Sequence, residues 1–82
     1  NSLELGSNTF TKHLTIKATK NSADFKNFEV FNYLGQLSMD GTISHENSKT
    51  ISINLESLKA GDYILKIKSK TKVERFKITK DK

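Results

Sequence analysis

His13 and His45 are the chain's only imidazoles. Acid–base work or a zinc site would need one of them close to carboxylates or to a second imidazole. No such grouping at ligand spacing surrounds either. His13 falls on the outward side of an alternating stretch, and His45 lies in a polar segment. Asp40 with Glu46, and Glu56 with Asp62, are carboxylates that folding could pair. In a small basic domain such groups solvate the surface rather than move protons. Serines are frequent, but none stands in a nucleophile motif. Gly6-Ser7-Asn8 has the small residues of a phosphate loop, yet no helical stretch follows to hold an anion. Cysteine is absent, which removes thiolate nucleophiles, thiolate zinc sites and disulfides. The expectation is a protein that is not an enzyme and carries no metal or cofactor.

The remaining chemistry is charge. The chain carries 14 basic and 9 acidic residues, a formal charge of +5. Residues 1–65 are close to balanced. Residues 66–82 hold Lys66, Lys68, Lys70, Lys72, Arg75, Lys77, Lys80 and Lys82 against Glu74 and Asp81. A field concentrated at one end steers association with an acidic partner. It also protects an edge strand from aggregation. Nucleic acid is not the expected partner. An RNA-reading sheet interleaves exposed aromatics with lysines, and the outward aromatics, Phe31 and Tyr33, lie far along the sequence from the basic end.

These groups must be carried by strands. Leu14, Ile16 and Ala18 alternate; so do Phe28 and Val30, with Phe31 on the opposite side. Leu37 and Met39, then Ile51, Ile53 and Leu55, then Tyr63, Leu65 and Ile67, then Phe76 and Ile78 continue the period of two. Such runs are half-buried strands. Val73 is out of phase with Phe76 and Ile78, which suggests a bulge or a strand start between them. Asn32-Tyr33-Leu34-Gly35, Asp40-Gly41, Lys59-Ala60-Gly61-Asp62 and Ser69-Lys70-Thr71-Lys72 read as turns. Residues 20–24 and 43–49 read as polar connections. Leu55 to Leu58 can make one helical turn at most. The fold expected is all-β: a small antiparallel two-sheet β-sandwich of about seven strands, immunoglobulin-like. A single curled sheet or small barrel is the alternative.

At 82 residues the chain is one domain, 1–82, with residues 1–9 expected as a loose leader or linker remnant and fraying at Asn1–Ser2 and Asp81–Lys82. A globule of this size buries only about 60–65% of its unfolded surface, so its core is thin. No apolar run approaches the roughly 20 residues of a membrane helix, and residues 1–20 lack the apolar centre of a signal peptide. Stable membrane insertion is not expected.

The second half of the chain resembles the C-terminal sorting domain of type IX secretion cargo proteins, the type A secretion tail of Bacteroidetes. Phe28-Glu29-Val30-Phe31-Asn32-Tyr33-Leu34-Gly35-Gln36 is similar to that family's strand, asparagine turn and Gly-Gln segment. Ile51 to Ile67 resembles its long stretch with Leu58, Gly61 and Tyr63 in place. Phe76-Lys77-Ile78-Thr79-Lys80 resembles its terminal strand. The match runs over about residues 10–80. The family's opening Pro-Asn-Pro element is replaced by Ser7-Asn8-Thr9; the chain has no proline.

The resemblance implies a sorting and export signal at the C-terminus of a larger cargo. The cargo would reach the periplasm by the general secretory route and be released or anchored at the cell surface. The implied partners are an outer-membrane shuttle and a sortase-like peptidase of the type IX translocon, which would remove the domain. Lys66, Lys68, Phe76, Lys77 and Lys80 are the expected recognition residues, with Lys66 and Lys68 projecting beside Lys77 and Lys80. Gly35, Gln36, Leu58, Gly61 and Tyr63 are the expected structural motif. An exposed last strand could add to a partner's sheet or swap into a dimer. The competing function is an accessory binding or adhesion module for glycan or protein, with Phe31 and Tyr33 as its platform.

Overall fold

Leu14, Ile16 and Ala18 alternate with exposed His13, Thr15 and Lys17 along one strand, so a single face of that strand is dry. The same rule repeats through the chain. The structure, a computed structural model, describes residues 3–6, 9–18, 25–47 and 49–81. Within them lie nine strands: β1 (Leu3–Leu5), β2 (Thr9–Phe10), β3 (His13–Ala18), β4 (Phe25–Asn32), β5 (Leu37–Thr42), β6 (Ser44–Asn47), β7 (Thr50–Asn54), β8 (Gly61–Ser69) and β9 (Val73–Lys80). They form a four-stranded sheet, β1-β3-β7-β6, and a five-stranded sheet, β2-β9-β8-β4-β5. The expected two-sheet sandwich is therefore present. All described pairings are antiparallel except β2 with β9, which is parallel through Thr9–Thr79 and Phe10–Lys80.

The core lies between the sheets. Leu3, Leu14, Ile16, Ile51 and Ile53 face Phe28, Val30, Leu65, Ile67 and Ile78, all buried. Phe10, Phe25 and Leu55 close the ends, and Met39, Leu58 and Phe76 pack against the rim. Side chains this well covered gain about 1.5–3 kcal/mol each over the exposed state, which is the main force pinning the sheets together.

Several expectations change. Leu3 is buried and β1 pairs with β3, so residues 3–5 are not a loose leader. Residues 43–49, expected as loop, contain β6, which is held by backbone pairing to β7 and carries no apolar alternation. Asp40-Gly41, expected as a turn, lies inside β5. Glycine suits the close approach there: a Cβ on Gly41 would lie 3.2 Å from the Phe28 ring, which would have to give by a few tenths of an ångström. Val73 involves no bulge. The β8–β9 register is unbroken from Lys68–Val73 to Gly61–Lys80, and Val73 is simply on the outer face, half exposed. The bulges sit elsewhere, including one where β5 slips by a residue between Val30 and Phe31. That slip sets Met39 opposite Val30, against the core, and half-exposed Leu37 opposite Phe31. Asp81 donates its N–H to the Phe10 carbonyl at 2.8 Å and is not frayed. The expected connection at 20–24, and Asn1, Ser2 and Lys82, lie outside the described residues.

Candidate functional site

The outer face of the five-stranded sheet is where charge and apolar surface meet. Two closures set its geometry. The first is the β4–β5 hairpin. The Asn32 side-chain oxygen accepts from the N–H of Leu34 at 2.9 Å and of Gln36 at 3.0 Å, while its amide nitrogen donates to the Gln36 side-chain oxygen at 3.1 Å. The Gly35 N–H donates to the Asn32 carbonyl at 2.9 Å. Gly35 takes φ +84°, a left-handed conformation that closes a three-residue hairpin loop at low cost only for glycine or asparagine. Gly35 and Gln36 thus hold Tyr33 out in solvent, 82% exposed.

The second closure is the passage from β7 to β8. Leu58 donates its N–H to the Leu55 carbonyl at 3.1 Å, making the single turn expected there. Gly61 begins β8 at φ +150°, a conformation side chains disfavour. Tyr63 buries its ring and donates its hydroxyl to the Lys59 carbonyl at 2.7 Å. This is the geometry of a tyrosine corner, which locks the strand-to-strand crossing of a β-sandwich. All five motif residues, Gly35, Gln36, Leu58, Gly61 and Tyr63, lie at these two closures.

Between these closures the outer face carries two cross-strand rows. Phe31 stands opposite Ile64, and Ile64 opposite Lys77. One step along, Glu29 stands opposite Lys66, and Lys66 opposite Arg75. The Lys66 ammonium sits 4.7 Å from the centre of the Phe31 ring, a cation–π contact. Lys68 is drawn off to Glu29, its Nζ 2.8 Å from the carboxylate. Asp62 is occupied as well, accepting from the Thr79 hydroxyl at 2.8 Å. The result is a shallow cleft of about 560 Å³ whose lining includes Phe31, Tyr33, Ile64, Lys66, Arg75 and Lys77, with Asp62 as its one carboxylate.

The expected recognition residues divide. Lys66 and Lys77 reach the cleft. Lys68 lies beside it in an ion pair. Phe76 belongs to the inner face, packed against the core. Lys80 also has inner parity and is only 8% exposed, so it does not project beside Lys66 and Lys77. The reason is the unbroken period of two along β9, which puts Phe76, Ile78 and Lys80 on one side and Arg75 and Lys77 on the other. The separation of aromatics from the basic end also fails in space: β4 and β8 are neighbours, so Phe31 and Tyr33 line the same cleft as Arg75 and Lys77. Arg75 and Ile64 were not among the expected site residues. The spacing Arg75-x-Lys77 was the signal for the first, and Ile64 interrupting the Lys66–Lys68 face was the signal for the second. The imidazole His13 is exposed on the outer face of the other sheet, and Asp40 and Glu46 belong to strands of different sheets.

A small two-sheet β-sandwich with a basic and apolar outer face is the class that fold and cleft define. Residues 8–81 match the family described as the secretion system C-terminal sorting domain, and the chain belongs to that family, the sorting tails of type IX secretion. The match takes in β2 through β9 and leaves β1 outside. Membership makes the domain a C-terminal sorting signal, part of a larger cargo protein that the type IX machinery exports to the cell surface or beyond. Comparison with curated proteins and with solved structures finds no match.

Proposed function

We propose that the domain acts as a non-catalytic address. It folds in the periplasm and is recognised there as a folded sandwich by the outer-membrane shuttle of the type IX translocon. It is then removed from its cargo by the sortase-like peptidase, while the cargo is released or attached at the surface. The observation that carries this reading is the family match over residues 8–81. The structure adds support in two ways. Lys66, Arg75 and Lys77 share one accessible face, which suits steering toward an acidic surface. Among the described residues β2 pairs with β9 only at Thr79 and Lys80, so most of the outer edge of β9 is open to strand addition.

The test is export of a fluorescent protein carrying a signal peptide and residues 1–82 in a type IX-competent host. Fluorescence in the medium or on the surface, lost in a translocon-defective host, is the expected result. Retention of a folded fusion in the periplasm would overturn the reading. Deleting residues 73–82 is not a clean test of recognition, because it removes Ile78 from the core along with the basic strand.

A further inference from the structure

We infer that the cleft on the outer face of the five-stranded sheet takes an acidic peptide segment of a partner protein. An apolar anchor of that segment sits among Phe31, Tyr33 and Ile64, and its carboxylates pair with Arg75 and Lys77. The inference deepens the sorting reading by giving the chemistry of the partner.

The two outer faces of the sandwich differ. On the four-stranded sheet Glu4, His13, Thr15 and Lys17 are exposed and Ser52 half-buried, and among the described residues no large apolar side chain stands out. On the five-stranded sheet Phe31 and Ile64 are half exposed, Tyr33 and Leu37 more so. Clustered apolar surface on a domain this small marks a contact site. The charges around it are unbalanced. Glu29 neutralises Lys68, and one oxygen of Asp62 accepts from Thr79, so the cleft sets three cations, Lys66, Arg75 and Lys77, against the single carboxylate of Asp62. Lys66 and Arg75 are directly opposed across β8 and β9. Like charges in that position destabilise a sheet, so the fold tolerates a cost that an acidic partner would relieve. Arg75 offers a planar fork suited to a carboxylate.

A peptide fits this lining better than an acidic glycan. Ile64, at the middle of the lining row, is aliphatic and gives a sugar ring nothing to stack on. One face of the Phe31 ring is already covered by Lys66. Apolar side chains flanked by carboxylates use both halves of the lining.

The probe is a fluorescein-labelled peptide of about ten residues alternating glutamate with leucine around a central phenylalanine, titrated with the purified 82-residue chain and read by anisotropy. Saturable binding is expected, weakening as salt rises. Arg75→Glu/Lys77→Glu should weaken it at least tenfold and Tyr33→Ala several-fold. Lys12→Glu/Lys17→Glu, on exposed positions outside the cleft, should leave it within about twofold. A peptide with lysine in place of glutamate should not bind. Methylating alternate peptide amides blocks strand addition and should leave affinity within a few-fold. Loss of binding on methylation, equal binding by all variants, no binding at all, or binding of oligogalacturonate in place of the peptide would each overturn the inference. The assay needs no secretion host, so its failure with export intact would leave the sorting reading standing.

Discussion

Replacing Tyr63 by phenylalanine separates a structural motif from a recognition motif. Tyr63 is 9% exposed, and its ring stays buried in the variant. What is lost is one hydroxyl-to-carbonyl hydrogen bond of 2.7 Å, which ties the start of β8 back to Lys59. Lys59 is exposed and the bond only partly buried, so the vacated carbonyl is left short of a full desolvation penalty. The net loss should therefore be that of an ordinary hydrogen bond, about 1 kcal/mol. In a domain of this length that lowers the melting temperature by about 4–8 °C. Urea titration followed by far-UV circular dichroism is the assay, because the chain has no tryptophan and the substitution removes one of its two tyrosines. The slope against urea should not change, since the surface exposed on unfolding is the same. Export should persist in a fusion whose tail remains folded. A variant as stable as the parent would refute the role given to the tyrosine corner. A fully stable variant that is not exported would make Tyr63 a recognition residue.

Three further outcomes are expected. Ile67→Ala and Ile78→Ala empty fully buried positions on adjacent strands and should each cost about 2–5 kcal/mol in the same titration. Gly35→Ala forces a side chain into φ +84° and should cost about 1 kcal/mol or more, with Gly35→Asn recovering much of it. Arg75→Glu converts the repulsion from Lys66 into attraction and should raise stability by a few tenths of a kcal/mol at low salt, the gain fading at high salt. A gain insensitive to salt would show that the cross-strand repulsion is not its source.

Much of the fold was legible because burial follows side-chain alternation. Leu14-x-Ile16-x-Ala18 and Tyr63-x-Leu65-x-Ile67 are buried at every predicted position. What alternation cannot show is pairing that rests on backbone alone. β1, β2 and β6 are two to four residues long, and Ser44–Asn47 carries no apolar side chain to reveal a strand. Glycine misled at Gly41 because the same residue type serves a turn and a close approach, and the Phe28 ring that decides between them is thirteen positions away. The last hairpin closes without glycine as expected. The Ser69 hydroxyl accepts from the N–H groups of Thr71 and Lys72 at 3.3 and 2.9 Å and so shapes the turn. The cleft was half visible. The basic side was plain from composition, but its aromatic side depends on β4 lying next to β8, a long-range pairing that no local spacing encodes. Lys80 was misplaced by reading the basic end as one face, when strict alternation divides it between two.

The position of β9 bears on the order of events during synthesis. It pairs along its whole length with β8, supplies Ile78 to the core, and is the strand against which β2 closes. None of this can form until residues 73–80 have left the ribosome, so β2 and one edge of β8 lack their partner until β9 arrives. A chain cut short before β9 would carry most of the residues of the tail but lack Ile78 in its core and the whole β8–β9 ladder. The complete sandwich therefore requires translation through β9, and any reader of the β8–β9 face would pass over a chain that stops short of it.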